Sequence, residues 1–154
     1  KKLDKAALAA AVLKSGALEY SGSLGDITGG APVQGTTTTE GFANGMVQAM
    51  FSKAIYRLEA VVKNLPDPAG TDFYEGWLVH TEAPFDFIST GKFNKTDEAY
   101  VNKYSSGNDL TDHLFYVVTL ESDDKNPAPS AHVLEGRLSK LSGAASTTPA
   151  QSTQ

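Results

Sequence analysis

Cysteine is absent from this chain, which removes disulfides and thiolate metal sites from consideration. Positive charge is in short supply: 13 Lys and Arg stand against 18 Asp and Glu, a formal net charge of −5. Apart from Lys1-Lys2 the basic residues are scattered. A nucleic acid or an anionic membrane surface selects a basic patch, so neither is an expected partner. No apolar run approaches the roughly 20 residues that span a bilayer, and no membrane span is expected. Strand–helix alternation is missing too, which argues against a parallel α/β sheet. The chain starts at Lys1 rather than Met. The expectation is an exported protein, extracellular or at the cell surface, whose signal peptide has been removed.

What the chain does have is strand grammar. Phe73-Tyr74-Glu75-Gly76-Trp77-Leu78-Val79 and Phe115-Tyr116-Val117-Val118-Thr119-Leu120-Glu121 are rich in aromatic and β-branched residues and bounded by turn formers. In residues 55–62, Tyr56, Leu58, Ala60 and Val62 share one face, while Arg57, Glu59 and Lys63 share the other. That alternation predicts a strand with one wet side. It pairs with residues 46–51 as a hairpin across Ser52-Lys53. Further strands are expected over 85–93, 99–104 and 131–138, with 18–24 as a first strand. Gly76 beside Trp77 predicts a close approach or a bulge. The fold class is all-β: an antiparallel β-sandwich or partly open barrel of seven or eight strands, with an N-terminal helix.

The ends differ in composition. Residues 3–14 are Ala- and Leu-rich and predict a helix with an apolar stripe of Leu3, Ala7, Leu8, Ala11 and Val12. Residues 142–154 are polar and of low complexity, with nothing to bury against the entropy of ordering. The expected organisation is a helical segment over 1–16, a Gly/Thr-rich extended segment or donor strand over 17–40, a β-sandwich over 41–139 and a tail over 140–154.

Three motifs carry a family resemblance. Tyr74-Glu75-Gly76-Trp77-Leu78-Val79, Ser89-Thr90-Gly91-Lys92-Phe93, and Phe115 to Glu121 followed by Pro127-Ala128-Pro129-Ser130 occur in this order. Together they resemble the extracytoplasmic C-terminal domain of anti-sigma-K factors, over about residues 54–136. The resemblance implies the fold and an extracytoplasmic address. That family also carries a zinc-associated sigma-binding helical domain and a membrane span. This sequence has neither, so anti-sigma activity is not carried over.

No catalytic constellation stands out. His80, His113 and His132 are the only histidines, and a metal site needs two or three of them to converge. His80 and His113 both fall near strand ends. Asn108, Asp109 and Asp112, and the run Asp123-Asp124-Lys125-Asn126, are oxygen-rich, which suits calcium. Neither has EF-hand spacing, and turn chemistry explains both. Glu75 and Glu121 could face each other as a hydrolytic pair only if the fold opened a pocket between them. Ser89 and Ser130 lack a nucleophile elbow, and Gly25-Asp26-Ile27-Thr28-Gly29-Gly30 precedes no helix and cradles no phosphate. Tyr74, Trp77, Phe85, Phe87, Phe115 and Tyr116 could line a sugar platform, but core packing is the expectation, for Trp77 above all. Catalytic, cofactor and metal sites are therefore expected to be absent, with structural calcium the nearest exception.

The functional expectation is a non-enzymatic cell-surface or filament subunit that self-associates by strand donation and edge pairing. Residues 33–42 or 18–24 are the candidate donors. The alternative is a monomeric extracytoplasmic module that binds a ligand or partner through loops such as 105–111.

Overall fold

Strand β3 (Ile55–Lys63) shows how the wall is built. Its buried and exposed residues alternate as the sequence predicts, with Tyr56, Leu58, Ala60 and Val62 inside. The structure, a computed structural model, describes residues 17–33, 37–123, 125 and 130–141. Around β3 run β1 (Leu18–Asp26), β2 (Asn44–Ser52), β4 (Phe73–His80), β5 (Asp86–Lys92), β6 (Asn94–Thr96), β7 (Ala99–Ser106), β8 (Phe115–Glu121), β9 (Ala131–Arg137) and β10 (Ser139–Lys140). The fold is all-β and antiparallel, as expected. It has ten strands in one sheet, more than the seven or eight read from the sequence. The expected N-terminal helix and polar tail lie outside the described residues.

The strand order is β5-β4-β8-β9-β1-β2-β3-β7-β6, with β10 also on β1. The sheet curls until β5, at one end, meets β7, the strand next to the short end strand β6, so it is nearly a closed barrel rather than two stacked sheets. Each β1 partner is long-range or a neighbour in the barrel wall: β2 covers it along its length, and β9 and β10 take its other side. Residues 18–24, expected as a first strand or a donor, are thus an internal stave of the barrel.

The core fills the barrel interior. Tyr74 and Leu78 from β4, Tyr116, Val118 and Leu120 from β8, and Val47, Tyr56, Leu58 and Leu134 belong to one apolar cluster. Leu110, on the loop between β7 and β8, joins that cluster from one end. Burying each such side chain contributes about 1.5–3 kcal/mol. Gly76 faces inward beneath this layer. A Cβ there would stand 2.0 Å from the Tyr116 hydroxyl, so only glycine lets Tyr116 lie flat across β4.

Three loops show local causes. The β2–β3 hairpin turns on Lys53 and Ala54, both at positive φ (52° and 65°). That is the two-residue turn whose twist matches the strands, made here without the usual Asn-Gly. The Gly/Thr-rich connection between β1 and β2 is organised by Asp26. Its carboxylate accepts from Thr28 N (2.8 Å), Thr28 Oγ1 (2.6 Å), Ala43 N (3.0 Å) and the Thr39 hydroxyl. Burial pushes the Asp26 carboxyl upward, but those four hydrogen bonds outweigh it and hold the group below the usual carboxylate range. Thr28 and Thr39, from the Gly/Thr-rich segment, are donors to this hub. Asp67, in the proline-bearing loop before β4, is likewise held low by Lys95 and the Tyr100 hydroxyl.

Candidate functional site

The sheet closes along a seam between β5, its first strand, and β7, which carries the short end strand β6 over residues 99–101 only. A bulge in β5 prepares it. Gly76 pairs with Gly91 and Trp77 with Ser89, which leaves Thr90 as the extra residue, and Gly91 follows at φ 97°. Thr90 is buried and its Oγ1 donates to Asn102 Oδ1 at 2.7 Å. Tyr116 OH donates to the same oxygen at 2.9 Å. Asn102 Nδ2 in turn faces the carbonyls of Thr90 (3.1 Å), Gly91 (3.2 Å) and Lys92 (3.3 Å). One side-chain amide thus replaces a backbone ladder at this level. Burial, the largest influence on Tyr116, pushes its phenol well above the ordinary tyrosine value, so it stays a donor here.

Beyond Asn102 the seam is not laced. Residues 86–89 of β5 pair only with β4, and residues 103–106 of β7 pair only with β3. No backbone ladder joins β5 to β7 among the described residues. Two antiparallel edges therefore face each other, with their outward main-chain groups unpaired between strands. Phe85 and Phe87 flank the β5 side, 77% and 52% exposed.

At the same end sit two of the three histidines. His113, from the loop before β8, is buried, with Nδ1 2.8 Å from Asp112 Oδ1 and Nε2 2.8 Å from Asp86 Oδ2. His80, at the end of β4, has Nδ1 3.0 Å from the Pro84 carbonyl and Nε2 3.9 Å from Asp112 Oδ2. The two rings lie 5.6 Å apart, centre to centre. The convergence that the strand-end positions allowed is therefore present for His80 and His113. His132 is elsewhere, paired with Glu135 at 2.7 Å on an exposed surface.

Among the described residues, the oxygen-rich loops do not come together. Asp109 caps its own turn through Thr111 N (2.9 Å) and Oγ1 (2.6 Å), and Asp112 turns to the histidines. Asp124 and Asn126 lie outside the described residues. Among the described residues, no group of three or more His, Asp or Glu side chains is placed to hold a metal ion.

The outer face of β4 and β8 holds a second polar cluster. Trp77 was expected in the core. It is 4% exposed, yet β4 alternation turns it away from the barrel interior, opposite Val117. Its Nε1 donates to Thr119 Oγ1 (2.9 Å), which donates to Glu121 Oε2 (2.6 Å). Glu121, 3% exposed, also accepts from Ser130 N (2.8 Å) and Ser130 Oγ (2.9 Å). This buried carboxylate anchors the return of the chain into β9. Glu75 takes the Ser89 hydroxyl instead, and Lys92 lies over the Phe73 ring at 4.1 Å. Ser89 and Ser130 each donate to a carboxylate with no imidazole beside them. The six aromatics do not form one platform: Tyr74 and Tyr116 are core, Trp77 meets Phe87 at 5.7 Å outside, and Phe85 is on the surface.

Asn102, Asp86 and Asp26 were not singled out in the sequence. Asn102 interrupts an apolar alternation, Tyr100-Val101-Asn102, and a polar residue at an inward position is the signal that finds it. Asp86, between two phenylalanines, carries no such signal.

No known protein family, curated protein or solved structure matches the chain.

Proposed function

We propose that this chain is a non-enzymatic extracellular structural protein that self-associates by taking an extended segment of a second copy into the seam between β5 and β7. The observation that carries this reading is the unlaced stretch of that seam, residues 86–89 opposite 103–106. An added strand there gains main-chain hydrogen bonds on both sides. Exposed edges of this kind drive edge-to-edge association unless they are blunted, and this one exposes Phe87 beside the charges of Asp86 and Lys103. Repetition head to tail without ring closure makes a filament. Of the two expected donors, residues 18–24 form β1, and within 33–42 Thr39 is tied to Asp26. Residues 1–16 and 142–154 are therefore the segments to delete.

The test is light scattering over a concentration series. Species well above the 16.3 kDa chain mass are expected. They should collapse to monomer when Phe87→Lys and Ser105→Lys charge the two edges. A monomer at every concentration, or assembly indifferent to those charges, overturns the reading.

One observation favours a second reading, a monomeric binding module. A groove of about 670 Å³ runs over the outside of β1, β2, β3 and β7, lined by Glu19, Gln48, Met50, Arg57 and Lys103. Its mixed apolar and charged lining suits a peptide or small ligand.

A further inference from the structure

The outer face of β1, β2 and β3 is arranged in rows. Register places Glu19, Met50 and Arg57 side by side, and Ser23, Met46 and Val61 in a parallel row four residues further along each strand. Four residues of strand separate the rows by about 13 Å. Apolar side chains stand out on this face. Met46 is 51% and Met50 36% exposed, and Leu141, on the rim beside Glu19, is 51% exposed. The 670 Å³ groove at Met50 continues past Gln48 and Glu59 into a second hollow of about 370 Å³ at Met46. Met46 and Met50 are the only methionines of the chain, and methionine is the side chain that moulds best to an irregular apolar partner.

A segment of matching character is attached at the margin of this face. The described residues begin at 17, and Leu18 pairs with Phe51, the neighbour of Met50. Residues 3–14, for which the sequence predicts a helix, are joined to Leu18 by Ser15, Gly16 and Ala17 alone. Four residue steps reach about 14 Å at full extension, enough to turn the segment back over Met50. A helix of twelve residues is about 18 Å long and covers the 13 Å between the two rows. Its stripe centres on Ala7 and Ala11, small enough to let a helix approach a sheet closely, with Leu3, Leu8 and Val12 at the sides. So short a tether holds the segment at an effective concentration in the millimolar range.

We propose that residues 3–14 fold back on their own chain as a helix whose apolar stripe packs on Met46 and Met50. A helix of this length is marginal by itself in water, so the sheet face stabilises it. The occupant of the groove is then part of the chain and not a separate ligand. This contact is independent of strand addition at the seam, and it leaves residues 142–154 as the segment for that role.

The experiment uses the full chain with carbon-13 in the methionine methyls, so that two signals report and both belong to this face. The chain has no cysteine, and Ala9→Cys puts a single nitroxide on the side of the segment away from the stripe. In dilute protein, below any assembly, both methyl signals should broaden, and they should recover when the nitroxide is reduced. In a mixture of carbon-13 chain without nitroxide and nitroxide chain without carbon-13, they should stay sharp. Leu8→Asp with Ala11→Glu should relieve the broadening and speed peroxide oxidation of Met46 and Met50 several-fold. Ala6→Glu, on the opposite side of the segment, should do neither. Sharp methyl signals in the nitroxide chain overturn the proposal. So does broadening in the mixture, which puts the segment on a second copy, and so does broadening that survives Leu8→Asp with Ala11→Glu. Failure of assembly at the seam, read by light scattering, leaves these methyl signals unchanged.

Discussion

Asn102 and Thr90 meet twice across the barrel seam: Thr90 Oγ1 donates to Asn102 Oδ1 at 2.7 Å, and Asn102 Nδ2 donates to the Thr90 carbonyl at 3.1 Å. Asn102 is 1% exposed, so both of its polar ends are satisfied without water. The bulge that makes Thr90 the unpaired residue of β5 is what puts its hydroxyl within reach. Closure of the barrel is thus delegated to one amide, and the strand edges beyond it are left unlaced.

Replacing that amide should be costly. Asn102→Leu keeps the volume but orphans the Thr90 and Tyr116 hydroxyls in the core. A loss of about 3 kcal/mol is expected, read by urea unfolding, together with faster amide exchange along β5.

Asp26 predicts a pH dependence of defined sign. Its folded-state pKa lies below the ordinary 3.8. Its contribution to stability is therefore present above about pH 4 and lost as pH falls through the folded value. Asp26→Asn should be less stable than the native chain by about 1–3 kcal/mol at neutral pH. The gap should close in acid, as measured by thermal unfolding across a pH series.

The β2–β3 hairpin should be improvable. Lys53 and Ala54 both sit in the left-handed region, which costs a side-chain-bearing residue about 1–2 kcal/mol. Lys53→Asn with Ala54→Gly supplies the residues that the turn prefers. The pair should raise stability by about 1 kcal/mol in chemical denaturation and leave assembly unchanged.

Gly76→Ala tests the packing under Tyr116. The new methyl would overlap the Tyr116 hydroxyl and the Thr90 Oγ1. Overpacking of this kind costs about 1–3 kcal/mol, and here it also disturbs the donors to Asn102. A lowered melting temperature is expected, partly recovered by Tyr116→Phe.

These particulars mark what was legible in the sequence. The wet and dry faces of β3 follow from period-two alternation, and Gly76 announced both its bulge and its close contact. Local pattern suffices there because the cause is local. The order of the strands is not local: β1 lies between β2 and β9, and nothing in residues 18–26 names those neighbours. Trp77 is buried, as expected, but outside the main apolar cluster: β4 is covered on both faces near Trp77, and alternation alone does not say which face is inside. Thr39 was read only as part of a Gly/Thr-rich extended segment and Thr28 as part of a loop that cradles no phosphate, while their hydroxyls answer to Asp26. At the candidate site, the ends of β4 and β8 brought His80 and His113 into view. Asp86 and the Pro84 carbonyl needed the β4–β5 turn to be seen.

The central claim is strand addition at the seam, and amide hydrogen exchange tests it most directly. The amides of residues 86–89 and 103–106 that point away from β4 and β3 should exchange quickly in dilute protein and become protected at concentrations where the chain assembles. Assembly with those amides still unprotected would contradict the account.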